Sequence, residues 1–167
     1  MNPDLFWIGG PWRGRLAIAT RPRGGEWLQD EVRRWRQAGV DLVISVLESD
    51  EAAQLELLDE AKAEDANGIR FISFPIPDRG VPASVPASLS LMATISSVLG
   101  AGRNVAVHCR QGIGRSGLIA AGILVNSGVP SEQAIKTVSA ARGLAIPETT
   151  EQRVWVQQLP RPSVATR

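Results

Sequence analysis

NVAVHCRQGIGRSG, residues 104–117, is the stretch that decides the fold. The apolar run 104–108 predicts a buried strand, and the small apolar residues 117–126 predict a buried helix. The glycine-containing loop between them turns successive backbone N–H groups toward one concave point. The positive end of the helix dipole adds to that field. The stretch therefore predicts a phosphate-sized anion site on a strand–loop–helix unit.

Strand-like and helix-like segments alternate on both sides of this unit. The pattern predicts a single-domain α/β fold with a mainly parallel central sheet flanked by helices. The predicted strands are 5–8, 16–19, 41–47, 69–74 and 104–108, and the predicted helices are 26–37, 51–66, 88–99, 117–126, 131–140 and 148–159. Asp50 is the expected cap of the second helix. We predict one domain over residues 1–160 and a flexible tail over 161–167.

Composition limits the possible partners. The chain has 167 residues, 44% of them hydrophobic, which suits one ordinary core. Its 18 basic and 17 acidic residues give a net charge of +1, so neither nucleic acid nor a membrane is expected as a partner. With no signal segment and no membrane-length apolar run, we expect a soluble, cytoplasmic protein, with the monomer as the favoured state.

The chain has a single cysteine, Cys109, and a single histidine, His108. An intramolecular disulfide is therefore impossible, and no set of thiolate or imidazole ligands is available for a catalytic zinc ion. A free thiol suits a reducing cytosol. We expect chemistry without a metal or another cofactor.

The loop itself contains a nucleophile and an anion clamp. A free cysteine titrates near ~8.5, and a helix N-terminus or a nearby cation lowers that by roughly one to five units, so Cys109 is expected to be a thiolate. Arg115 offers a planar, bidentate fork for two phosphoryl oxygens. The predicted phosphate-binding residues are Arg110, Gln111, Gly112, Ile113, Gly114 and Arg115.

HCRQGIGRSG, residues 108–117, resembles the HCxxGxxRS/TG signature of cysteine-based protein tyrosine and dual-specificity phosphatases at every specified position. It is not a nucleotide-binding loop, which would end in Gly-Lys-Ser/Thr. The order of predicted elements from Leu42 to Leu159 also follows this family. The short chain without tyrosine points to the compact dual-specificity branch. The resemblance implies a protein tyrosine phosphatase-like fold and hydrolysis of phosphotyrosine, and of phosphoserine or phosphothreonine as well, through a cysteinyl phosphate on Cys109.

The resemblance also implies an aspartate general acid upstream. Residues 77–82, PDRGVP, resemble the family's acid loop and place Asp78 in that role, with Ile76 where larger members have tryptophan. Because catalysis then requires an ionised Cys109 and a protonated Asp78, kcat/KM should be bell-shaped with an optimum somewhat below neutral pH.

Three supporting residues follow from the same resemblance. His108 would help to orient and acidify the cysteine, although a lone buried histidine is also an ordinary core residue. Ser116 would stabilise the leaving thiolate and also cap the helix. Gln152 would position the hydrolytic water, and an exposed helical glutamine explains that position equally well.

Other functions remain open. Phosphoinositide phosphatases of the same superfamily usually carry lysines in the loop, where this chain has Arg110, Gln111 and Ile113. RNA 5'-phosphatases gain little support from the near-neutral charge. A phosphopeptide-binding module without turnover and a rhodanese-like sulfur transferase are further alternatives, against which the intact Asp78 and Arg115 count.

The N-terminal segment combines aromatic and basic residues. Trp12 and Trp27 flank four arginines, which either line a pocket for an acidic substrate or form a solvated basic surface. The four are Arg13, Arg15, Arg21 and Arg23.

Overall fold

A five-stranded sheet forms the centre of the computed structural model, which describes residues 4–162. The strands are β1 (Leu5–Ile8), β2 (Leu16–Ala19), β3 (Leu42–Ser45), β4 (Arg70–Ser73) and β5 (Val105–His108), and they lie side by side in the order β1-β2-β5-β3-β4. β2, β5, β3 and β4 are parallel, and β1 pairs antiparallel with β2 at one edge. The predicted mainly parallel sheet is confirmed.

Seven helices cover the two faces of the sheet in the described residues. They are α1 (Leu28–Gln37), α2 (Ser49–Gln54), α3 (Glu60–Ala66), α4 (Val85–Gly100), α5 (Arg115–Asn126), α6 (Ser131–Arg142) and α7 (Thr150–Gln157). α5 is buried from Arg115 to Val125 and packs against α4, α6 and α7 in the larger core. α1 and α3 pack in the second core on the other face.

The prediction of one helix over 51–66 is wrong, because the chain breaks after α2. Glu56 adopts a left-handed φ of 57°, and buried Leu57 turns back so that its N–H donates to the Ala52 carbonyl at 2.8 Å. Asp50 is not the cap either. Glu48 is, because its side chain and that of Glu51 form a reciprocal capping box. The break separates Glu51 on α2 from the acidic residues of α3.

The register of the sheet brings the segments of the predicted site together. Ala19 at the end of β2 and Ser45 at the end of β3 both pair with His108 at the end of β5. Loops that leave these three strands therefore meet at one edge, where parallel α/β sheets bind ligands.

The predicted tail, 161–167, lies largely outside the described residues. Within them, Arg161 donates to the Gly128 carbonyl at 3.1 Å. No helix between residues 4 and 162 is both long enough and apolar enough to cross a membrane.

Candidate active site

The loop between β5 and α5, residues 109–114, wraps as the sequence predicts, and its two inner glycines are needed for different reasons. Gly112 has a φ of 70°, in the left-handed region that glycine adopts without strain. A Cβ there would also lie 2.9 Å from the Ala19 carbonyl oxygen. Gly114 has an ordinary φ of −76°. Its small size matters instead, because a Cβ would lie 2.9 Å from a Glu148 carboxylate oxygen.

Cys109 sits at the bottom of this loop and is 3% exposed. Its Sγ accepts a hydrogen bond from the Gly112 N–H at 3.2 Å and lies 3.1 Å from the Ser116 hydroxyl. Burial acts to raise the pKa of the Cys109 thiol, but the Ser116 hydroxyl and the N–H groups of Ser116, Ile113 and Gly112 outweigh it. The pKa is therefore lowered from its ordinary value, so these contacts stabilise the thiolate form.

Arg115 opens α5, is 2% exposed, and already has one edge of its guanidinium occupied. Nη1 and Nη2 donate to the two Glu51 oxygens at 2.7 and 2.9 Å, and Nη1 also donates to the Ile76 carbonyl at 3.0 Å. Three of the five N–H groups are thus used. Nε–H and the second Nη2–H have no hydrogen-bond acceptor between residues 4 and 162, and they form the other bidentate edge of the fork.

Glu51 is a site residue that the sequence reasoning missed. The charge-assisted hydrogen bond from Arg115 outweighs burial and holds the pKa of Glu51 below its usual value, so the carboxylate stays charged. Its Oε1 also lies 3.9 Å from Arg110 Nε. The available signal was its position, because Glu51 lies in the first turn of the helix that follows β3, at the edge of the sheet where the phosphate loop lies.

The predicted acid loop faces Arg115. Asp78 Oδ1 lies 3.4 Å from Arg115 Nη2, and the Asp78 side chain is 64% exposed. Ile76, where larger relatives have tryptophan, is fully buried and donates its N–H to the Val46 carbonyl at 2.9 Å. Arg79 follows with a φ of 60° and pairs with Glu148 at 3.0 Å. The acid loop is therefore anchored at Ile76, and its Asp78 side chain is exposed to solvent.

A pocket of about 170 Å³ joins the loop to the acid. It contains most of the residues predicted for the site and no aromatic side chain. The lining residues are Asp78, Arg79, Cys109, Arg110, Gln111, Ile113, Gly114, Arg115 and Glu148. Four predicted residues lie outside the lining: Gly112 within the loop, and Ser116, His108 and Gln152 behind or beside it. The prediction that Ser116 caps α5 is wrong, because the N-cap is Gly114 and the Ser116 hydroxyl lies against Cys109 instead.

Gln152 is fully buried, so the alternative of an exposed helical glutamine is wrong. Its Oε1 accepts from the Thr149 N–H at 3.1 Å, and its Nε2 donates to the Gly80 carbonyl at 3.0 Å. A Cβ on Gly114 would lie 3.2 Å from both amide atoms. Gln152 thus links the acid loop to the helix cap of α7, next to the phosphate loop.

His108 is fully buried at the end of β5 and lies behind Cys109. Its Nδ1 lies 3.2 Å from the Cys109 carbonyl, and its Nε2 lies 2.7 and 3.0 Å from the two oxygens of Glu60 on α3. Burial acts to lower the pKa of His108, but the Glu60 carboxylate outweighs it and the pKa is raised. The ring therefore contacts the backbone of the nucleophile rather than its sulfur.

Arg142 supports the loop from outside, and no sequence signal identified it. At the end of α6, its Nε donates to the Gly112 carbonyl at 2.9 Å and its Nη2 to the Gln111 carbonyl at 3.3 Å. Its guanidinium also stacks on the Phe6 ring at 4.2 Å. These two loop carbonyls are thus bonded outward, while the N–H groups of Gly112 and Ile113 point inward to Cys109.

The N-terminal aromatic and basic residues do not form one pocket, because β2 separates them. Trp12 precedes β2 and donates its Nε1–H to the Ser127 hydroxyl at 2.8 Å, which makes it a packing residue. Arg15 stacks on Trp7 at 4.1 Å at the same end. At the opposite end, Arg23 stacks on the half-exposed Trp27 at 4.4 Å and pairs with a buried glutamate of α1, Glu31.

Solved structures share this architecture. Kinase-associated phosphatase, with its catalytic cysteine replaced by serine, superposes with a TM-score of 0.87 over 95% of this chain and 94% of its own, at 20% identity. Tk-PTP in its active form gives 0.76 over 95% and 97%, at 29% identity. PTPMT1 in complex with PI(5)P gives 0.74 over 92% and 94%, at 20% identity. The fold is that of the compact cysteine-based phosphatases.

Sequence comparison defines the family more narrowly. Residues 17–129 match the family described as "Polymorphic toxin system, DSP-PTPase phosphatase", and the chain belongs to it. Cyclin-dependent kinase inhibitor 3 of Rattus norvegicus is 30% identical over 93 residues, which cover 54% of this chain and 43% of that protein. The match thus spans less than half the length of this curated relative.

Proposed function

We propose that the chain is a cysteine-dependent protein phosphatase that hydrolyses phosphotyrosine, with phosphoserine and phosphothreonine as further substrates. The observation that carries the proposal is the single pocket in which Cys109, Arg115 and Asp78 converge, with the Asp78 carboxylate 3.4 Å from the guanidinium. A thiolate nucleophile, a bidentate cation and an exposed carboxyl group are the parts that phosphate transfer without a metal requires. A free catalytic thiol supports a reducing, cytoplasmic compartment.

In the first step, the Cys109 thiolate attacks phosphorus and forms an S–P bond while the ester P–O bond breaks. Asp78 gives its proton to the departing oxygen, which leaves as an alcohol or phenol. The free edge of Arg115 and the inward N–H groups of the loop hold the remaining phosphoryl oxygens. The negative charge that builds on these oxygens is stabilised by groups already in position.

In the second step, water attacks the cysteinyl phosphate. Asp78, now ionised, takes a proton from that water, and the S–P bond breaks with its electron pair returning to sulfur. The Ser116 hydroxyl, 3.1 Å from Sγ, is positioned to donate a hydrogen bond to the departing thiolate. Gln152 has both amide atoms engaged by Thr149 and Gly80, which favours positioning of the acid loop over direct contact with water.

Phosphoinositide phosphatase is the second candidate, and the pocket wall favours it. No aromatic residue lines the pocket to stack on a phosphotyrosine ring, whereas Arg79 and Arg110 lie at its rim with exposed side chains. Such a rim suits a substrate with several anionic groups. The loop carries Arg110, Gln111 and Ile113 in place of the lysines expected for inositol lipids, so the protein substrate remains our first proposal.

The test is hydrolysis of para-nitrophenyl phosphate, phosphotyrosine and phosphothreonine peptides and short-chain phosphoinositides, measured from pH 4.5 to 8 in the presence of EDTA. We compare wild type with Cys109→Ser, and use Ser90→Ala on the exposed face of α4 as a control. We expect turnover that EDTA does not reduce and that Cys109→Ser lowers by at least roughly 10³-fold.

The substrate ratio distinguishes the two candidates. Faster turnover of phosphopeptides supports the protein phosphatase, and faster turnover of phosphoinositides supports the second candidate. A folded wild type that binds phosphopeptide or vanadate without turnover would overturn both and leave a phosphopeptide-binding module.

A further inference from the structure

A buried chain of ionisable side chains lies behind the nucleophile. It runs from His108 at the end of β5 to Glu60 and then Glu64 on α3, and all three are at most 2% exposed. Neither carboxyl oxygen of Glu64 has a hydrogen-bond partner among the described residues. Such groups are costly to bury, so each requires a partner or a neutral form.

The hydrogen-bond geometry determines where the protons of His108 lie. Nδ1 faces the Cys109 carbonyl at 3.2 Å, and a carbonyl only accepts, so Nδ1 must carry a proton. Nε2 faces both oxygens of Glu60, at 2.7 and 3.0 Å. If Glu60 is ionised, Nε2 must carry a proton as well, and the ring is an imidazolium.

Glu64 supports the ionised form of Glu60. Burial, and then the negative charge of Glu60, raise the pKa of Glu64 to about 9, so it is neutral at pH 7. A protonated Glu64 can donate its O–H to Glu60, which satisfies a buried oxygen and stabilises the Glu60 charge. Glu64 thus adds no second negative charge beside His108 at pH 7.

We propose that Glu60 is a positioning residue that holds the second proton on His108, so that an imidazolium lies directly behind Cys109 and stabilises its thiolate. The described groups that face the ring are Glu60 from α3, the Cys109 backbone and thiolate from the phosphate loop, and the uncharged Trp35 ring of α1, whose centroid is 5.8 Å away. Glu60 acts through His108 and does not line the pocket that holds Cys109.

The first experiment observes the ring directly in the full-length wild type. His108 is the only histidine, so a protein labelled with ¹⁵N-histidine and freed of any affinity tag has one imidazole signal set. We expect both ring nitrogens to be protonated from pH 5.5 to 7.5. A neutral ring with an unprotonated Nε2 at pH 6 would overturn the proposal, and this measurement needs no variant.

The second experiment follows thiol ionisation through the rate of Cys109 alkylation by iodoacetamide between pH 4.5 and 8.5. In Glu60→Gln, we expect the rate at pH 5.5 to fall by about tenfold and to converge on the wild-type rate at alkaline pH, because one nearby charge shifts a pKa by roughly one unit or more. Glu64→Gln is the matched control, since it replaces a neutral carboxyl group by a neutral amide, and its rate should stay within about twofold of wild type.

A double-mutant cycle tests whether Glu60 acts through the ring. Glu60→Gln should have no further effect on alkylation in a His108→Gln background. An unchanged profile in folded Glu60→Gln, or an equal shift in Glu64→Gln, would overturn the proposal. The effect of Glu60 on catalysis rests on the proposed function. The alkylation rate reports thiol ionisation directly and does not require phosphatase turnover. A shifted profile in a protein without phosphatase activity would therefore refute the function alone.

Discussion

Charged side chains lie both in front of the phosphate loop and behind it, in opposite surroundings. In front, the Asp78 and Arg79 side chains are 64% and 63% exposed. Behind the loop, His108, Glu60 and Glu64 are at most 2% exposed. The same kinds of group therefore meet water on one side of Cys109 and a dry core on the other.

This difference in solvent exposure determines what the groups on each side of the loop can do. Exposed ion pairs are screened and contribute little stability, so the front can rearrange when a phosphate enters. Buried charges require a matched partner or a proton, so the back holds a defined protonation pattern. Under the proposed function, the reaction takes place on the exposed side of the loop, and the buried side prepares Cys109 for it. Four predictions test this division.

The largest effect is expected at the front, from Asp78→Asn. The amide keeps the shape but cannot give a proton to the leaving oxygen, so kcat for an alkyl phosphate should fall by roughly 10² to 10³-fold. The loss should be smaller for para-nitrophenyl phosphate, whose leaving group needs little protonation. Equal losses on the two substrates would show that Asp78 is not the acid.

Glu51→Gln affects Arg115, which connects the exposed groups in front of the loop with the buried groups behind it. The amide cannot accept from both Arg115 nitrogens, so the guanidinium loses one charge-assisted hydrogen bond and its fixed orientation. We expect kcat/KM to fall by about tenfold. Glu48→Gln is the control, because Glu48 only caps α2. A similar loss in both variants would indicate damage to the helix rather than to Arg115.

Glu64→Gln should stabilise the fold in a pH-dependent way. The pKa of Glu64 is about 9 in the folded protein and near 4.5 when unfolded, so folding takes up a proton between these values. Stability is lost as pH rises through this window, and the variant should not lose it. We expect a gain of roughly 1 to 3 kcal/mol at pH 7 that disappears toward pH 4.5, measured by urea unfolding. Asp65→Asn, exposed on the same helix, should show no such trend.

The smallest effect is expected from Arg79→Gln at the rim. Its partner Glu148 lies at 3.0 Å and both side chains are substantially exposed, so the free energy of unfolding should change by less than about 1 kcal/mol. Thermal unfolding at low and high salt measures this. A loss well above that value would mean that the exposed pair in front of the loop is held as rigidly as the buried groups behind it.

The elements of the fold could largely be predicted because their signals are local. All five strands and the segment order followed from apolar runs and glycine or proline stops, and the phosphate loop from one continuous stretch. The break at Glu56 could not be predicted, because it depends on burial of Leu57 between α2 and α3. The amphipathic pattern over 51–66 is equally compatible with one continuous helix and with two helices separated by a break.

The sequence by itself determined the proposed nucleophile, clamp and phosphate cradle, since Cys109, the two glycines and Arg115 lie within seven residues and act through local backbone geometry. Only the tertiary structure decided what orients them. Glu51 binds Arg115, Glu60 binds His108, and Arg142 binds the loop carbonyls. These three residues come from separate helices. Their spacing along the chain does not predict these contacts. The contacts depend on how the parallel strands end at one edge of the sheet and on how the helices pack above that edge.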